Sequence, residues 1–189
     1  MTYEEAINFL KSHQPMPDTQ IPLPWENKEL ASQLANEIES LLTKWEEALD
    51  YFMEHPCEES IPLFFNSLGD DDGLGVYTLL RHYLVKFPPE IVIPYFKSAF
   101  RSPSPIIRTW AADFALDIHS GAQDFIEAML PLLLDSSNVG IRICTISALS
   151  SKARKGFFDW HLYETFLRQA YEKETDKDIK QSYEEIFAL

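Results

Sequence analysis

The chain has 189 residues and a formal net charge of −14, from 30 acidic and 16 basic residues. This length suits one domain or one short repeat array, and the acidic balance opposes nucleic-acid binding, which depends on phosphate neutralisation by Lys and Arg. The longest apolar run, Ala128 to Leu134, is too short to span a bilayer, and the N-terminus carries acids where a secretion signal carries bases. We therefore expect a soluble cytoplasmic protein, with Cys57 and Cys144 as reduced thiols.

The charge is unevenly spread along the chain. Residues 1–60 hold 13 acids and 3 bases, whereas residues 61–189 hold 17 acids and 13 bases. Most of the negative field therefore comes from the first third. Such a field favours basic partners and fast, salt-sensitive association with them. The alternative is a solvated acidic surface that only keeps the protein in solution.

The N-terminal segment begins with a short helix and an irregular connector. Thr2 and Glu5 form a capping box, which predicts a helix start. Residues 14–25 contain four prolines and predict a connector without regular structure. Its larger apolar residues either pin the connector to the body or form an exposed patch for a partner; they are Ile21, Leu23 and Trp25.

Residues 27–55 predict one long helix, or two helices with a bend, that bury one apolar stripe. The stripe consists of Leu30, Leu34, Ile38, Leu41, Trp45, Leu49 and Phe52. The acids that lie largely off it are Glu26, Glu29, Glu37, Glu39, Glu46, Glu47, Asp50 and Glu54. We predict that residues 1–59 form an acidic helical cap over the open end of an array, because terminal repeats need one polar face.

Four helix pairs are predicted in the rest of the chain, within residues 60–87, 90–119, 122–150 and 159–189. In the third pair, the polar break Asp135–Asn138 separates a leucine-rich helix from one whose predicted buried stripe is Val139, Ile143, Ile146 and Leu149. A helix pair this short cannot cover its own apolar surface and must stack on similar pairs. We therefore predict an all-α fold, an α-solenoid of about four helix pairs over residues 60–189, in one compact domain overall.

These pairs resemble the HEAT-like repeat family. The residues that carry the resemblance are Leu130-Pro131-Leu132-Leu133, Asp135, Ile141-Arg142 and Ala148-Leu149. HEAT repeats often pair an Asp in the turn with an Arg early in the second helix, which makes a ladder between repeats. Asp135 and Arg142 fit this pattern, whereas Arg108 does not, because Arg101 stands at its equivalent turn position. The first pair has Gly75 or Tyr77 where the Arg belongs, so the resemblance implies a partial ladder.

No short motif in the sequence indicates catalysis or metal binding. Asp70, Asp71 and Asp72 are adjacent, but an EF-hand needs spaced acids and a Glu at loop position twelve, where this chain has Arg81. The five histidines lie in five different segments without H-x-x-x-H or H-E-x-x-H spacing. Glycine patterns for phosphate or dinucleotide binding are missing from the sequence. We predict no enzymatic activity, no cofactor and no metal.

One basic cluster runs from Lys152 to Lys155 and is followed by Phe157 and Trp160. Basic residues beside aromatic ones can grip a single-stranded nucleic acid. Lys and Arg before a glycine are also a common helix stop, with the aromatic side chains packed between helix pairs. The acidic charge of the whole chain favours the helix stop.

The favoured function is a non-catalytic protein-binding module, because HEAT-like arrays resemble concave scaffolds that bind partners over an extended surface. The opening MTYEEAINFLKSHQPMP, followed by an acidic helix and short repeats, looks like small bacterial proteins associated with toxin systems, which implies an immunity or antitoxin role. A basic protein partner would contact the acids, with two aromatic residues as anchors if they are exposed. The predicted partner-binding residues are Glu37, Glu39, Glu46, Glu47, Asp50, Asp70, Asp71, Asp72, Trp45 and Tyr77.

The alternative is an enzyme built on HEAT-like repeats, such as an alkylpurine DNA glycosylase or a bilin lyase. A glycosylase needs a basic, aromatic-lined concave face, which the charge balance opposes. A deep pocket lined by Arg108, Trp110 and Asp113 would favour this class.

Overall fold

The computed structural model describes residues 1–17, 27–69 and 73–189, and the regular structure in these ranges is entirely helical. The α-helices are α1 (Tyr3–Ser12), α2 (Lys28–Glu54), α3 (Ser60–Ser67), α4 (Leu80–Leu84), α5 (Pro89–Ala99), α6 (Pro105–Phe114), α7 (Gln123–Met129), α8 (Val139–Arg154), α9 (Glu164–Lys173) and α10 (Lys177–Phe187). Short 3-10 segments cover Gly73–Leu79, Ala115–Asp117, Leu130–Leu134 and Trp160–Tyr163. The all-α prediction is confirmed. Of the helices described, none combines the length and the apolar character that crossing a membrane requires.

The chain divides into two compact units, Met1–Phe87 and Pro88–Leu189. In the first unit α2 packs against α1, α4 and the segment Gly73–Leu79, and α1 also packs against α3. The helices of residues 60–87 therefore share a unit with the N-terminal helices. The predicted division between residues 59 and 60 stays a prediction.

Fully buried aromatic side chains form the core of the first unit: Trp45, Phe52, Phe64, Tyr77 and Tyr83. The Trp45 ring centroid lies 5.3 Å from that of Phe64 and 5.2 Å from that of Tyr77, and both contacts are edge-on. The indole Nε1 of Trp45 donates a hydrogen bond to Ser67 Oγ at 2.8 Å. Edge-on pairs stabilise a core beyond the area that they bury, and the hydrogen bond satisfies the one polar atom of Trp45.

Helix α1 begins with the predicted capping box. The Glu5 backbone N–H donates to Thr2 Oγ1, and the Thr2 backbone N–H donates to the Glu5 carboxylate at 2.7 Å. The hydrogen bond that the Glu5 carboxylate accepts from the Thr2 backbone N–H holds the pKa of Glu5 below its ordinary value. The capping-box prediction is confirmed.

Helix α2 is a single helix whose buried stripe starts later than predicted. Asn27 caps it by accepting a hydrogen bond from the Leu30 backbone N–H at 3.1 Å. Burial begins at Ile38 and includes Leu42, which the predicted stripe lacked, whereas the Leu30 side chain is exposed. The prediction for Leu30 is wrong. Among the described residues, no side chain in the first ten positions of this helix is buried.

Contacts between helices that are not adjacent in sequence hold the second unit together. Helix α8 packs against both α6 and α10. Helix α5 packs against α7, and the segment Leu130–Leu134 packs against α9. Phe96, Phe114 and Phe125 are fully buried in this unit.

The buried side of α8 differs from the predicted stripe. Of the predicted stripe, Ile146 and Leu149 are buried, whereas Val139 is 45% exposed and Ile143 is 42% exposed. Ile141 and Ala148, which the predicted stripe lacked, are fully buried. Apolar residues occur all around α8, so their spacing does not select one side. Contact with α6, α10 and the segments Ala115–Asp117 and Leu130–Leu134 decides which residues of α8 are buried.

Two arginine–carboxylate pairs link successive turns of the second unit. Arg108 Nε donates to Asp135 Oδ2 at 2.8 Å, and Arg142 Nε donates to Glu174 Oε2 at 2.7 Å. Arg142 also donates to the backbone oxygen of Asp135 at 3.0 Å. The expectation that Arg108 stands outside such a ladder is therefore wrong. Arg108 pairs with the acid of the turn that follows it, Asp135, just as Arg142 pairs with Glu174. Neither arginine needs an acid in the turn that precedes its own helix.

Candidate partner-binding face on helix α2

Most of the predicted acidic residues of α2 lie on one side of the helix. Each residue of an α-helix advances by about 100° and rises about 1.5 Å, so Glu39, Glu46, Glu47, Asp50 and Glu54 fall within a sector of about 100° and span about 22 Å. The buried stripe through Ile38, Leu42 and Trp45 lies outside this sector. Glu46 is half-buried and the other four acids are exposed. We name these five residues the acidic face.

Glu37 does not belong to the acidic face. Its position places it on the opposite flank of α2, where its Oε1 accepts a hydrogen bond from Gln33 Nε2 at 2.8 Å. The structure thus brings together four of the five acids predicted on this helix, and it separates the fifth. Glu54 completes the face. The predicted site lacks Glu54, although its spacing of fifteen residues from Glu39 places both on the same side of a helix.

The acidic face carries carboxylates without a basic partner. Within residues 1–17, 27–69 and 73–189, none of its five acids forms an ion pair with Lys or Arg. In the second unit, by contrast, many acids are paired internally; these pairs are Lys97–Asp124, Arg108–Asp135, Arg142–Glu174, Arg154–Glu185 and Arg168–Glu164. The charge of the acidic face is therefore available to a partner.

The two aromatic residues named as anchors are inside the protein. Trp45 and Tyr77 both have no exposed surface, so the condition of exposure on which their predicted role depended is not met. Gly73 packs directly on the Tyr77 ring, where a Cβ atom would lie 2.8 Å from the nearest ring atoms. Both side chains stabilise the core of the first unit.

Asp70, Asp71 and Asp72 were also predicted to bind the partner, and they lie outside the described residues. The same holds for Ile21, Leu23 and Trp25 of the predicted connector. In the ranges that the structure does describe, His, Cys, Asp and Glu side chains form no group of three or more that could hold a metal ion.

The basic cluster is not a continuous cationic surface. Lys152 is 1% exposed, and its Nζ donates a hydrogen bond to the backbone oxygen of Ile118. The same nitrogen lies 5.2 Å from the centroid of the Phe125 ring. Burial, with a smaller contribution from the nearby charge of Lys155, lowers the pKa of Lys152 to about 8. Trp160 is buried, as predicted, whereas Phe157 is 38% exposed.

Replacing Lys152 with methionine is expected to change how stability depends on pH. The pKa of Lys152 is about 8 in the folded protein and about 10.5 in the unfolded chain. Between these values the unfolded state binds the extra proton, so the stability contributed by Lys152 rises with pH. The free energy of unfolding of the wild type minus that of Lys152→Met should rise by about 3 kcal/mol across this window.

Urea unfolding followed by circular dichroism at several pH values between pH 8 and pH 10.5 measures this difference. Lys173→Met, at an exposed position, serves as the control and should show no such rise. A wild-type minus Lys152→Met difference that stays constant with pH contradicts the lowered pKa.

No family model, curated protein or solved structure matches this chain. The fold and the acidic face define the class as an all-α protein with an acidic helix surface whose carboxylates have no basic partner among the described residues. Its function is therefore inferred from the residues and geometry described above.

Proposed function

We propose that this protein is a non-catalytic protein-binding module whose acidic face binds a basic surface on a partner protein. The observation that supports the proposal is the concentration of five carboxylates on one side of α2 without a described basic partner. Unpaired surface charges of one sign steer an oppositely charged partner and raise the association rate. Among the described residues, no internal ion pair has to break before these carboxylates contact a partner.

A HEAT-like α-solenoid in the second unit is part of this proposal. Contacts of α6 with α8 and of α8 with α10 support it, as does the recurrence of an arginine–carboxylate pair at Arg108 and Arg142. In repeat arrays, nearest-neighbour contacts of this kind hold each helix pair to the next.

The sharper form of the proposal is an immunity or antitoxin role. Toxins that act on nucleic acid need basic surfaces to neutralise phosphates. The acidic face complements such a surface in charge, and binding there would block the access of the nucleic acid. The partner would then be a basic nuclease-type toxin.

Reversing the charge of Glu46 and Glu47 should weaken partner binding. We expect Glu46→Lys with Glu47→Lys to lower the association rate constant by about tenfold to a hundredfold at low salt, because electrostatic steering is lost. High salt should lower the wild-type rate towards that of the variant. Affinity capture of the partner, followed by surface plasmon resonance at low and high salt, provides the measurement.

The matched control carries the same change in net charge at other positions, Glu37→Lys with Glu172→Lys. It should retain most of the wild-type rate, since neither residue belongs to the acidic face. Partner binding that ignores both salt and the Glu46→Lys, Glu47→Lys variant contradicts the proposal. Equal loss in both variants would show that only net charge matters, which also contradicts a defined binding face.

A further inference from the structure

A small cleft lies between the C-terminal half of α8 and α10 in the second unit. Its volume is about 300 Å³. Four serines from the two helices line it: Ser147, Ser150, Ser151 and Ser182. Two of the three charged groups at the cleft, Arg154 and Lys155, are basic, and Glu185 is the third. Hydroxyl groups and cations in one concave site are the groups that bind oxyanions.

Ser150 has an unsatisfied hydroxyl in this cleft. The residue is 6% exposed, and its Oγ is buried without a hydrogen-bond partner among the described residues. A serine or threonine inside a helix can satisfy its hydroxyl with the backbone oxygen four residues earlier. Thr145 does so on the same helix, where its Oγ1 donates to Ile141 O at 2.6 Å. Ser150 makes no such hydrogen bond among the described residues, so its hydroxyl can still donate to and accept from another molecule.

The charges at the cleft sum to one positive charge. Arg154 Nη2 pairs with the Glu185 carboxylate, which neutralises the one acid of the lining. Lys155 is exposed and forms no ion pair within the part of the chain that the structure describes. A lysine ammonium binds phosphate oxygens as a compact point charge. An anion is therefore favoured over a neutral or cationic ligand.

We propose that the cleft between α8 and α10 binds a small oxyanion of the phosphate class, as free phosphate or as a phosphate monoester. Lys155 provides the charge. Ser147, Ser150 and Ser151 provide hydroxyl donors from one side of the cleft, and Ser182 lies on the other. The volume of the cleft suits one phosphate group with a small substituent.

The competing interpretation is a packing defect, in which the serines only allow α8 and α10 to approach closely and nothing binds. The two interpretations differ in what Ser150→Ala does. In a bound site the variant loses affinity for the anion, because a hydroxyl contact disappears. In a packing defect the variant only removes an unsatisfied group and changes no binding.

The experiment is a titration of the full-length protein with inorganic phosphate at constant ionic strength, followed by two-dimensional ¹H–¹⁵N NMR. Sodium chloride at matched ionic strength is the reference titration. We expect saturable shifts confined to residues 147–155 and 182–185, and a methyl phosphate titration shows whether an ester is preferred. Lys155→Gln should weaken binding by about tenfold, as expected for one charge-assisted contact, and Ser150→Ala should weaken it several-fold.

Lys177→Gln is the matched control, because it removes one exposed positive charge on α10 that does not line the cleft. It should leave the dissociation constant unchanged. The proposal is overturned if the shifts do not saturate, if chloride reproduces them, or if Lys177→Gln weakens binding as much as Lys155→Gln does. The spectrum of each variant should match that of the wild type outside the substituted region, which verifies that a loss of binding does not reflect unfolding.

Discussion

Replacing Glu174 with glutamine is expected to lower the free energy of unfolding by about 3–5 kcal/mol, because it leaves Arg142 charged, largely buried and without its ion-pair partner. The Glu174 side chain is 2% exposed and that of Arg142 is 18% exposed. Glu174 also accepts hydrogen bonds from the backbone N–H groups of Thr175 at 2.8 Å and Asp176 at 3.0 Å. A glutamine amide cannot accept all of these bonds, since one of its two terminal atoms is a donor.

Glu174 also contributes to the dependence of the free energy of unfolding on acidic pH. Burial alone would raise the pKa of Glu174, but hydrogen bonds from Arg142, Asp176 and Thr175 outweigh burial and lower it. The stability that Glu174 contributes is therefore present above the unfolded-state pKa of about 4.3 and is lost as pH falls through the lower folded pKa. Below that window, wild type and Glu174→Gln should converge.

Urea unfolding at neutral pH and at several acidic pH values tests both parts of this prediction. Glu172→Gln, two residues earlier in the last turn of α9, is the matched control because Glu172 is exposed, and it should change stability by less than about 0.5 kcal/mol. A Glu174→Gln effect as small as that of the control would mean that the Arg142–Glu174 pair does not hold α8 to the turn between α9 and α10.

Trp45→Ala should have an effect of similar size, about 3–5 kcal/mol, because it removes a large aromatic side chain from the core of the first unit. Trp45 has no exposed surface and contacts the rings of Phe64 and Tyr77. Its neighbours cannot fully fill the space, so the cost includes a cavity. Chemical denaturation followed by circular dichroism provides the free energy of unfolding.

A second substitution tests the polar end of the same side chain. Ser67→Ala removes the acceptor of the Trp45 indole N–H and should cost about 1–3 kcal/mol, because the N–H stays buried without a partner. If Trp45→Ala leaves stability unchanged but abolishes partner binding, Trp45 is a binding anchor and the described core is wrong. Loss of binding together with stability follows from unfolding alone.

The helices and their caps could be predicted from local sequence. Thr2 with Glu5, Asn27, and Ser104 before Pro105 mark helix starts by side-chain hydrogen bonds that involve neighbouring residues only. The acidic face was also visible in sequence, because helical spacing places Glu39, Glu46 and Asp50 on one side. Such features need no knowledge of distant residues.

Other features depended on contacts between residues far apart in the chain. Arg108 pairs with Asp135, and Arg142 with Glu174, at separations of 27 and 32 residues that no local pattern specifies. Lys152 belongs to an apparent basic cluster in sequence but is buried under Phe125 and Ile118. Its surroundings come from another helix and a remote turn, so its lowered pKa was not predictable.

The amino-acid sequence by itself determined the all-helical character, the starts of α1, α2 and α6, and the concentration of acids on α2. These properties follow from backbone hydrogen bonding and helical periodicity within a few residues. Only the tertiary structure decided that Trp45 and Tyr77 are buried, that Val139 and Ile143 are exposed, and which acids have basic partners. Burial and ion pairing depend on which helices pack together, because an apolar or charged side chain has the same local pattern whether or not a distant residue covers it.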